Sequence, residues 1–338
     1  MRFTAICLAV FMGCANPPQN VLEPPPTQEI RGEALGTTWM VKFTGDLAAA
    51  DVSQGVTDVL AEVDAAMSTW RDDSELSQIR AADGPVVVSE DTWQVVGAAL
   101  DLAEATGGAF DPTVEPLIEL WGFHGQPLTK LPSDESLATV MEQIGWQKVT
   151  LARTSSHEPA VDGGGTALDL SAIAKGHAVD RVSNMLSRLG LASHLVEIGG
   201  EVRGHGQSPS GRPWRLGVDR PEPGLAPGAK LEATINLTNA ALATSGNYRN
   251  RYEVEGKVIS HTIDPRTGRP VESTLASATV VAPDCRTADG WATALIVMGE
   301  PGMKLVNDLA DVEALLLVPD GGEFKQVKSD QMDQFLVP

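Results

Sequence analysis

Apolar residues along the chain follow two periods, one typical of helices and one typical of strands. From Asp51, apolar side chains recur every three or four positions, which predicts an amphipathic helix. This stripe consists of Val52, Val56, Val59, Leu60, Val63 and Met67. Cap residues and terminal glycines delimit the other predicted helices. These are Ser89–Gly107, Ser133–Ile144, a helix that follows a short strand within Ala167–Gly190, Thr287–Gly299 and Gly302–Leu309.

Shorter apolar runs between glycines and prolines predict strands. Strand pairs are expected around Gly36 and around Gly199-Gly200, and a buried strand, VEALLLV, is expected before a hairpin at PDGG. The glycines of Asp162–Thr166 are interpreted as the tip of another hairpin. Because helices and strands mix without regular βαβ alternation, the pattern favours an α+β fold, or an irregular α/β fold, with antiparallel sheets.

The N-terminus, MRFTAICLAVFMGC, begins with a positive charge, continues as a short apolar run and ends on a small residue before Cys14. This is the pattern of a secretory signal peptide, and its end resembles a bacterial lipoprotein signal with a lipidated cysteine. We therefore predict a signal over 1–13, a lipidated Cys14 with a proline-rich tether over 14–28, and a folded domain over 29–338. The protein would then be anchored on the periplasmic side of a bacterial membrane. An ordinary signal peptide or an uncleaved anchor is the alternative.

The formal net charge of −20 limits the ligands that the chain can attract. Such a surface repels nucleic acid, so we expect no nucleic-acid partner. An anionic ligand would need a local cation, a basic residue or backbone amides. After removal of the signal, Cys285 is the only cysteine besides Cys14, and no disulfide pair is predicted.

The densest chemistry lies in VISHTIDPRTGRP (Val258–Pro270), a strand that runs into a tight turn, and in the helix that follows. On that helix Asp289 and Thr293 are four residues apart and share a face. They offer two hard oxygen ligands, which magnesium accepts. His261 precedes the turn, and an imidazole beside a metal suits phosphoryl chemistry. The ordinary interpretation is a plain turn and a solvated helix face.

Two other stretches offer binding groups. Lys175 lies at the entry to a helix, which is a natural anion site, although a solvated surface lysine is the alternative. Ser68, Thr69 and Trp70 end the first helix and offer hydroxyls and a stacking ring to a ligand. The alternative is a polar helix terminus with a buried tryptophan. Asp111, before Pro112, suits a turn that opens a short helix.

Eight short motifs in this order resemble the ApbE family of FAD:protein FMN transferases. The resemblance covers nearly all of Glu29–Gly299. The motifs are ALGTTWMV, MSTWRDDSELS, FDPTVEPLIELWGF, DLSAIAKGHAVD, EIGGEVRGHG, ATSGNYRN, HTIDPRTG and ADGWATAL. Any one of them is a weak signal, but their shared order behind a lipoprotein-like signal is specific.

The resemblance implies two similar, interlocked α+β halves with FAD in the cleft between them. It also implies Mg²⁺ near the FAD pyrophosphate, and transfer of FMN from FAD to a threonine hydroxyl of a partner protein with release of AMP. Family partners include subunits of sodium-pumping NADH:quinone reductase and related membrane redox complexes. Their acceptor threonine lies in a Ser/Thr-Gly-Ala-Thr type motif.

Carried over by position, Asp289 and Thr293 are the implied metal ligands together with the backbone carbonyl of Ala172. His261 is the implied base for the incoming hydroxyl. The residues implied to contact FAD are Leu35, Ser68, Thr69, Trp70, Asp111, Lys175 and Ile263. Two other functions stay open from the sequence. The same site would hydrolyse FAD to FMN and AMP if water replaced the threonine, or the protein would be a non-catalytic FAD-binding lipoprotein.

Overall fold

A computed structural model describes residues 26–125, 127–222, 224–246, 251–272 and 274–337. The predicted signal, the lipidation site Cys14, most of the tether and the second half of the ATSGNYRN motif therefore lie outside the described residues. In the described ranges, every helix is too short or too polar to cross a membrane.

Eight α-helices lie in these ranges. They are α1 (Ala49–Met67), α2 (Glu75–Ala81), α3 (Glu90–Ala105), α4 (Glu115–Leu120), α5 (Asp134–Met141), α6 (Ser171–Arg188), α7 (Cys285–Met298) and α8 (Met303–Asn307). Short 3₁₀ helices span Trp146–Lys148, Glu300–Gly302 and Met332–Gln334.

The same ranges contain seventeen strands. They are β1 (Thr27–Ala34), β2 (Thr37–Thr44), β3 (Val86–Val87), β4 (Thr150–Arg153), β5 (Pro159–Asp162), β6 (His194–Ile198), β7 (Glu201–His205), β8 (Trp214–Asp219), β9 (Leu231–Leu237), β10 (Ala240–Gly246), β11 (Arg251–Val254), β12 (Lys257–Ser260), β13 (Ile263–Asp264), β14 (Arg269–Pro270), β15 (Ser277–Ala282), β16 (Glu313–Asp320) and β17 (Glu323–Lys328).

Eight of these strands form one sheet in the order β1-β2-β6-β7-β10-β15-β16-β17. Every neighbouring pair in it is antiparallel. The prediction of an α+β fold with antiparallel sheets is therefore confirmed. β7 and β10 pair in the middle of this sheet.

The two faces of the central sheet bury different layers, because successive strand residues point to opposite faces. On one face, Val41 packs with α1 and α6, while Ala278 and Leu316 pack with α3 and α7. On the other face, Leu315 and Leu317 pack with the β8–β9 pair. The helix layer thus places α6 and α7 side by side over the centre of the sheet.

Most predicted elements are present, with small changes at their ends. The pair around Gly36 is the β1–β2 hairpin, and Ser89 caps α3 by accepting a hydrogen bond from the amide of Thr92 at 3.2 Å. The folded part begins earlier than the expected Glu29. β1 starts at Thr27, and the side chain of Gln28 donates hydrogen bonds to the carbonyls of Gly45 and Leu47.

Two local predictions are wrong. Ala167–Leu170 forms no strand before α6, because the Asp169 amide donates to the carbonyl of Pro112 instead of to a sheet. The glycines of Asp162–Thr166 do not form a hairpin tip, since β5 pairs with β3 and β4. A Cβ at Gly164 would overlap the backbone of Lys148, so Gly164 allows these two chain segments to approach closely.

Candidate active site

One cleft of about 1710 Å³ brings the predicted site residues together. Every predicted residue within the described ranges lines it. They are Leu35, Ser68, Thr69, Trp70, Asp111, Ala172, Lys175, His261, Ile263, Asp289 and Thr293. These residues come from elements far apart in sequence. The fold therefore brings together on one surface motifs that are each a weak functional signal in the sequence.

The contact between α6 and α7 sets one wall of the cleft. Gly176 of α6 lies against α7 so closely that a Cβ would overlap the carbonyl group of Cys285. Its amide donates a hydrogen bond of 3.0 Å to Oδ2 of Asp289. Asp289 is therefore held in place between two helices, and it is only 2% exposed.

Lys175 lies on this wall between two carboxylates. Its Nζ is 3.5 Å from Oδ2 of Asp289 and 3.4 Å from Oε1 of Glu201. Burial acts to lower the pKa of Lys175, but the charges of Asp289 and Glu201 outweigh it and raise the pKa above its usual range. Lys175 is thus a firmly charged cleft residue, and the alternative of a solvated surface lysine is wrong.

Glu201 belongs to the same wall and was missed by sequence reasoning. It is buried at the start of β7, and its Oε2 has no hydrogen-bond partner in the described part of the chain. Burial raises the pKa of Glu201 to about 8, and the charge of Asp289 acts in the same direction. Its only sequence signal is its place after Gly199-Gly200, where the glycines allow a close approach.

The oxygens of this wall suit a magnesium ion. Thr293 lies one turn after Asp289 on α7, and its Oγ1 is 3.2 Å from Oγ of Ser245 on β10. Ala172 lines the cleft from the first turn of α6. Carboxylate, hydroxyl and carbonyl oxygens are the ligands that Mg²⁺ accepts, and the unpartnered Oε2 of Glu201 is a further oxygen on this wall.

His261 lies between β12 and β13 and lines the same cleft. It is half-buried, and its ring meets the edge of Phe123 with centroids 6.4 Å apart. The turn after it is closed by a hydrogen bond of 2.8 Å from the Gly268 amide to the Asp264 carbonyl. Ile263 is buried beneath the turn and pairs with Pro270, which fixes where His261 enters the cleft.

Trp70 stands at the cleft with most of its ring open to solvent. It is 75% exposed, so the alternative of a buried tryptophan is wrong. Its amide donates a hydrogen bond of 3.3 Å to Oγ of Ser68, which shapes the end of α1. On one side its ring lies 4.9 Å from the ring of His124. An exposed indole at a cleft is suited to stack on a planar ligand.

Leu35 shapes the cleft through its backbone conformation, and Asp111 shapes it through the hydrogen bonds of its carboxylate. Leu35 has φ +53°, which the tight hairpin turn between β1 and β2 requires. Asp111 is buried, and its carboxylate accepts hydrogen bonds from Thr113 and from the amide of Trp146 at 3.2 Å. Burial raises the pKa of Asp111. Its oxygens therefore already hold the loop that forms this part of the wall.

A second group of ionisable residues was also missed. Glu115, His124 and Asp169 place ligand atoms within 4.8 Å of one another. Burial raises the pKa of Glu115, and the hydrogen bond to Glu115 raises the pKa of His124. No sequence spacing marks this group, because it joins α4, the segment after it and the segment before α6.

Comparison with known proteins identifies the family. The model of the ApbE family matches residues 35–316. The chain belongs to the ApbE family. Its relatives include the FAD:protein FMN transferase of Salmonella typhimurium, 34% identical over 98% of this chain and 97% of the relative. The enzyme of that name from Haemophilus influenzae is 38% identical over 86% of each chain.

Solved ApbE structures share the fold. The flavin transferase ApbE from Vibrio cholerae superposes with a TM-score of 0.81 and 34% identity, covering 92% of this chain and all of that one. The apo form of the flavinyl transferase ApbE from Pseudomonas stutzeri has a TM-score of 0.81 and 31% identity, over 93% and 98% of the two chains. The predicted ApbE membership and α+β fold are confirmed.

Proposed function

We propose that this ApbE-family protein transfers FMN from FAD to a threonine hydroxyl of a partner protein in a magnesium-dependent reaction. The names of its relatives support flavin transfer from FAD to a protein. The observation that carries the proposal is the single cleft in which the wall of Lys175, Asp289 and Thr293 faces the same space as His261 and Trp70.

The reaction exchanges one phosphorus–oxygen bond for another. The threonine oxygen attacks the phosphorus of the FMN half of FAD, and the bond from that phosphorus to the bridging oxygen breaks. AMP leaves with the bridging oxygen, and the hydroxyl proton passes to His261. Pyrophosphate chemistry of this kind depends mainly on positioning and on neutralisation of charge, which the charged Lys175 provides on this wall.

Asp289, Thr293 and the carbonyl of Ala172 are the proposed magnesium ligands. A bound Mg²⁺ ion supplies charge neutralisation and polarisation of the phosphoryl group. Gly176 and Lys175 hold the Asp289 carboxylate toward the cleft, while Ser245 orients the Thr293 hydroxyl. A net charge of −20 gives no general attraction for FAD, so local cations are required.

We also propose that the protein acts at the periplasmic side of a bacterial membrane, anchored through a lipid on Cys14. The signal pattern and the proline-rich tether before β1 support this location. The proposed acceptor carries a Ser/Thr-Gly-Ala-Thr type motif and belongs to a membrane redox complex. A tethered enzyme and a membrane-bound acceptor meet at a raised effective concentration, which favours modification of such a partner.

The test is a transfer assay with the chain lacking residues 1–14, FAD, an acceptor fragment with the threonine motif, and either Mg²⁺ or a chelator. Flavin fluorescence on the acceptor in a denaturing gel and AMP in the same tube are measured together. We expect a labelled acceptor with Mg²⁺ and none with chelator. AMP without any label would instead support the hydrolase, and bound FAD with neither product would support a binding protein.

Asp289→Ala tests the proposed magnesium ligand Asp289 in the same assay. We expect Mg²⁺-dependent transfer to fall by about 10²-fold or more, because an aligned charge-stabilising group is lost. The matched control is Asp101→Ala, which removes an exposed carboxylate of α3 outside the cleft. Circular dichroism checks that both variants fold. Unchanged transfer by Asp289→Ala at limiting Mg²⁺ would remove Asp289 from the ligand set.

A further inference from the structure

Glu115, His124 and Asp169 converge from three segments of the chain. Their ligand atoms all lie within 4.8 Å of one another, beside the ring of Trp70. We propose that these three side chains bind a divalent transition-metal ion of the Zn²⁺ type, with a ligand set different from Asp289 and Thr293. This binding does not depend on flavin transfer.

The Glu115 carboxylate is the strongest indication of a bound cation. Its side chain is only 4% exposed. Its Oε1 is 2.9 Å from Nδ1 of His124, and its Oε2 is buried with no hydrogen-bond partner among the described residues. A buried charged oxygen without a partner is costly, and a cation held between these groups would satisfy it.

Apart from His124, whose pKa is raised by its hydrogen bond to Glu115, the protein places little positive charge at this point. The guanidinium of Arg80 is 4.0 Å from Oε1 of Glu115, but it is closer to Glu119, at 3.3 Å, and its side chain is 53% exposed. Arg80 is therefore a weak counter-ion for Glu115. Asp169 adds a second buried carboxylate, so a cation bound at this place would stabilise two buried carboxylates.

The spacing and chemistry of the three groups suit zinc. Zinc ligands lie about 2.0–2.2 Å from the ion, so donor atoms of one site stand roughly 3–4 Å apart. The three ligand atoms approach this spacing without a large movement. One imidazole with two carboxylates suits Zn²⁺ better than Mg²⁺, which prefers oxygen ligands and retains water. Oδ1 of Asp169 accepts a hydrogen bond of 2.6 Å from the Ser171 amide, which orients this carboxylate as outer contacts of metal sites do.

Cobalt is the probe for this site, because protein-bound Co²⁺ absorbs visible light and Zn²⁺ is silent. The full chain without FAD is titrated with Co²⁺, and Zn²⁺ is then added as a competitor. We expect Co²⁺ bound by Glu115, His124 and Asp169 to give a visible spectrum and to be displaced by Zn²⁺. Glu115→Gln and His124→Asn should each weaken Co²⁺ binding at least about tenfold, since even an outer contact of a metal site is worth 10- to 100-fold.

Two further variants make the result specific. Asp289→Ala should keep the Co²⁺ spectrum, and His157→Gln, which changes an exposed histidine outside the cleft, should match the unaltered chain. Thermal melts show whether each variant folds, and Asp169→Asn replaces any that does not. The proposal is overturned if no spectrum appears, if Glu115→Gln and His124→Asn leave it unchanged, or if Asp289→Ala removes it.

Discussion

Lys175 is the residue on which the charge balance of the cleft wall depends. Its ammonium is shared by Asp289 and Glu201, two carboxylates that are almost fully buried. Buried like charges repel strongly unless a cation lies between them. The sequence predicts Lys175 and Asp289 as site residues, but their pairing requires α6 and α7 to meet. Glu201 could not be predicted from the sequence, because no spacing in the sequence links it to Lys175 or Asp289.

The substitution His261→Ala tests whether His261 acts as the base in the chemical step. We expect the rate of transfer to fall by about 10²- to 10⁴-fold, as is usual for loss of a general base. The dissociation constant for FAD should change little, because the imidazole acts on the incoming hydroxyl. Single-turnover transfer and FAD titration measure the two separately, with His157→Gln as a control. An equal loss in both measurements would make His261 a binding residue.

At the scale of elements, the sequence predicts helices well where periodicity and caps agree. Ser89 starts α3 as expected, and Gly299 ends α7 with φ +70°. The failures occur where tertiary contacts decide the backbone. Ala167–Leu170 has the composition of a strand, but its hydrogen bonds go to the Pro112 segment and to α6. Short apolar runs cannot reveal such partners.

Gly176→Ala tests the packing of α6 on α7. The new Cβ would overlap the backbone of Cys285, so the helices must separate and the Asp289 carboxylate must shift. We expect a loss of about 1–3 kcal/mol in the free energy of unfolding, as overpacking usually costs, and a larger fractional loss of Mg²⁺-dependent transfer. Urea unfolding and the transfer assay measure the two effects.

Gly55→Ala is the matched control for this substitution. It lies inside α1, where the nearest atom to a new Cβ is Cε of Met185 at 3.4 Å. Helix propensity alone then predicts a gain of roughly 0.5–1 kcal/mol. Equal losses of stability in Gly176→Ala and Gly55→Ala would show that the contact between α6 and α7 is not tight.

At the scale of the whole molecule, acid stability depends on buried histidines that the sequence presents as ordinary. His194 is fully buried, with Nε2 2.8 Å from Oγ of Ser183 and Nδ1 2.9 Å from the carbonyl of Leu191. Burial lowers the pKa of His194 to about 4, and the charges of His205 and Arg203 act in the same direction. The folded protein therefore holds this imidazole neutral, whereas the unfolded chain protonates it near pH 6.5.

The sign of the resulting pH dependence follows from this difference. The contribution of His194 to the free energy of unfolding is fully present above about pH 6.5. It is lost as the pH falls toward 4, because in this range the unfolded chain binds a proton that the folded protein does not. The loss amounts to about 3–4 kcal/mol at the lower end, at about 1.4 kcal/mol per pKa unit over the shift from 6.5 to about 4. Urea unfolding of the protein and of His194→Gln at several pH values measures it. The variant should lose less stability on acidification, and parallel pH profiles would contradict the assignment.

The strand order of the central sheet repeats the order of the chain, from β1 at one edge to β17 at the other. A chain made from its N-terminus can therefore add each new strand beside the previous one without displacing a finished pair. The helix that carries Asp289 and Thr293 comes between β15 and β16, late in this sequence. A growing chain consequently has no complete flavin cleft until most of its length has been synthesised, and binding of FAD can stabilise only the nearly finished protein.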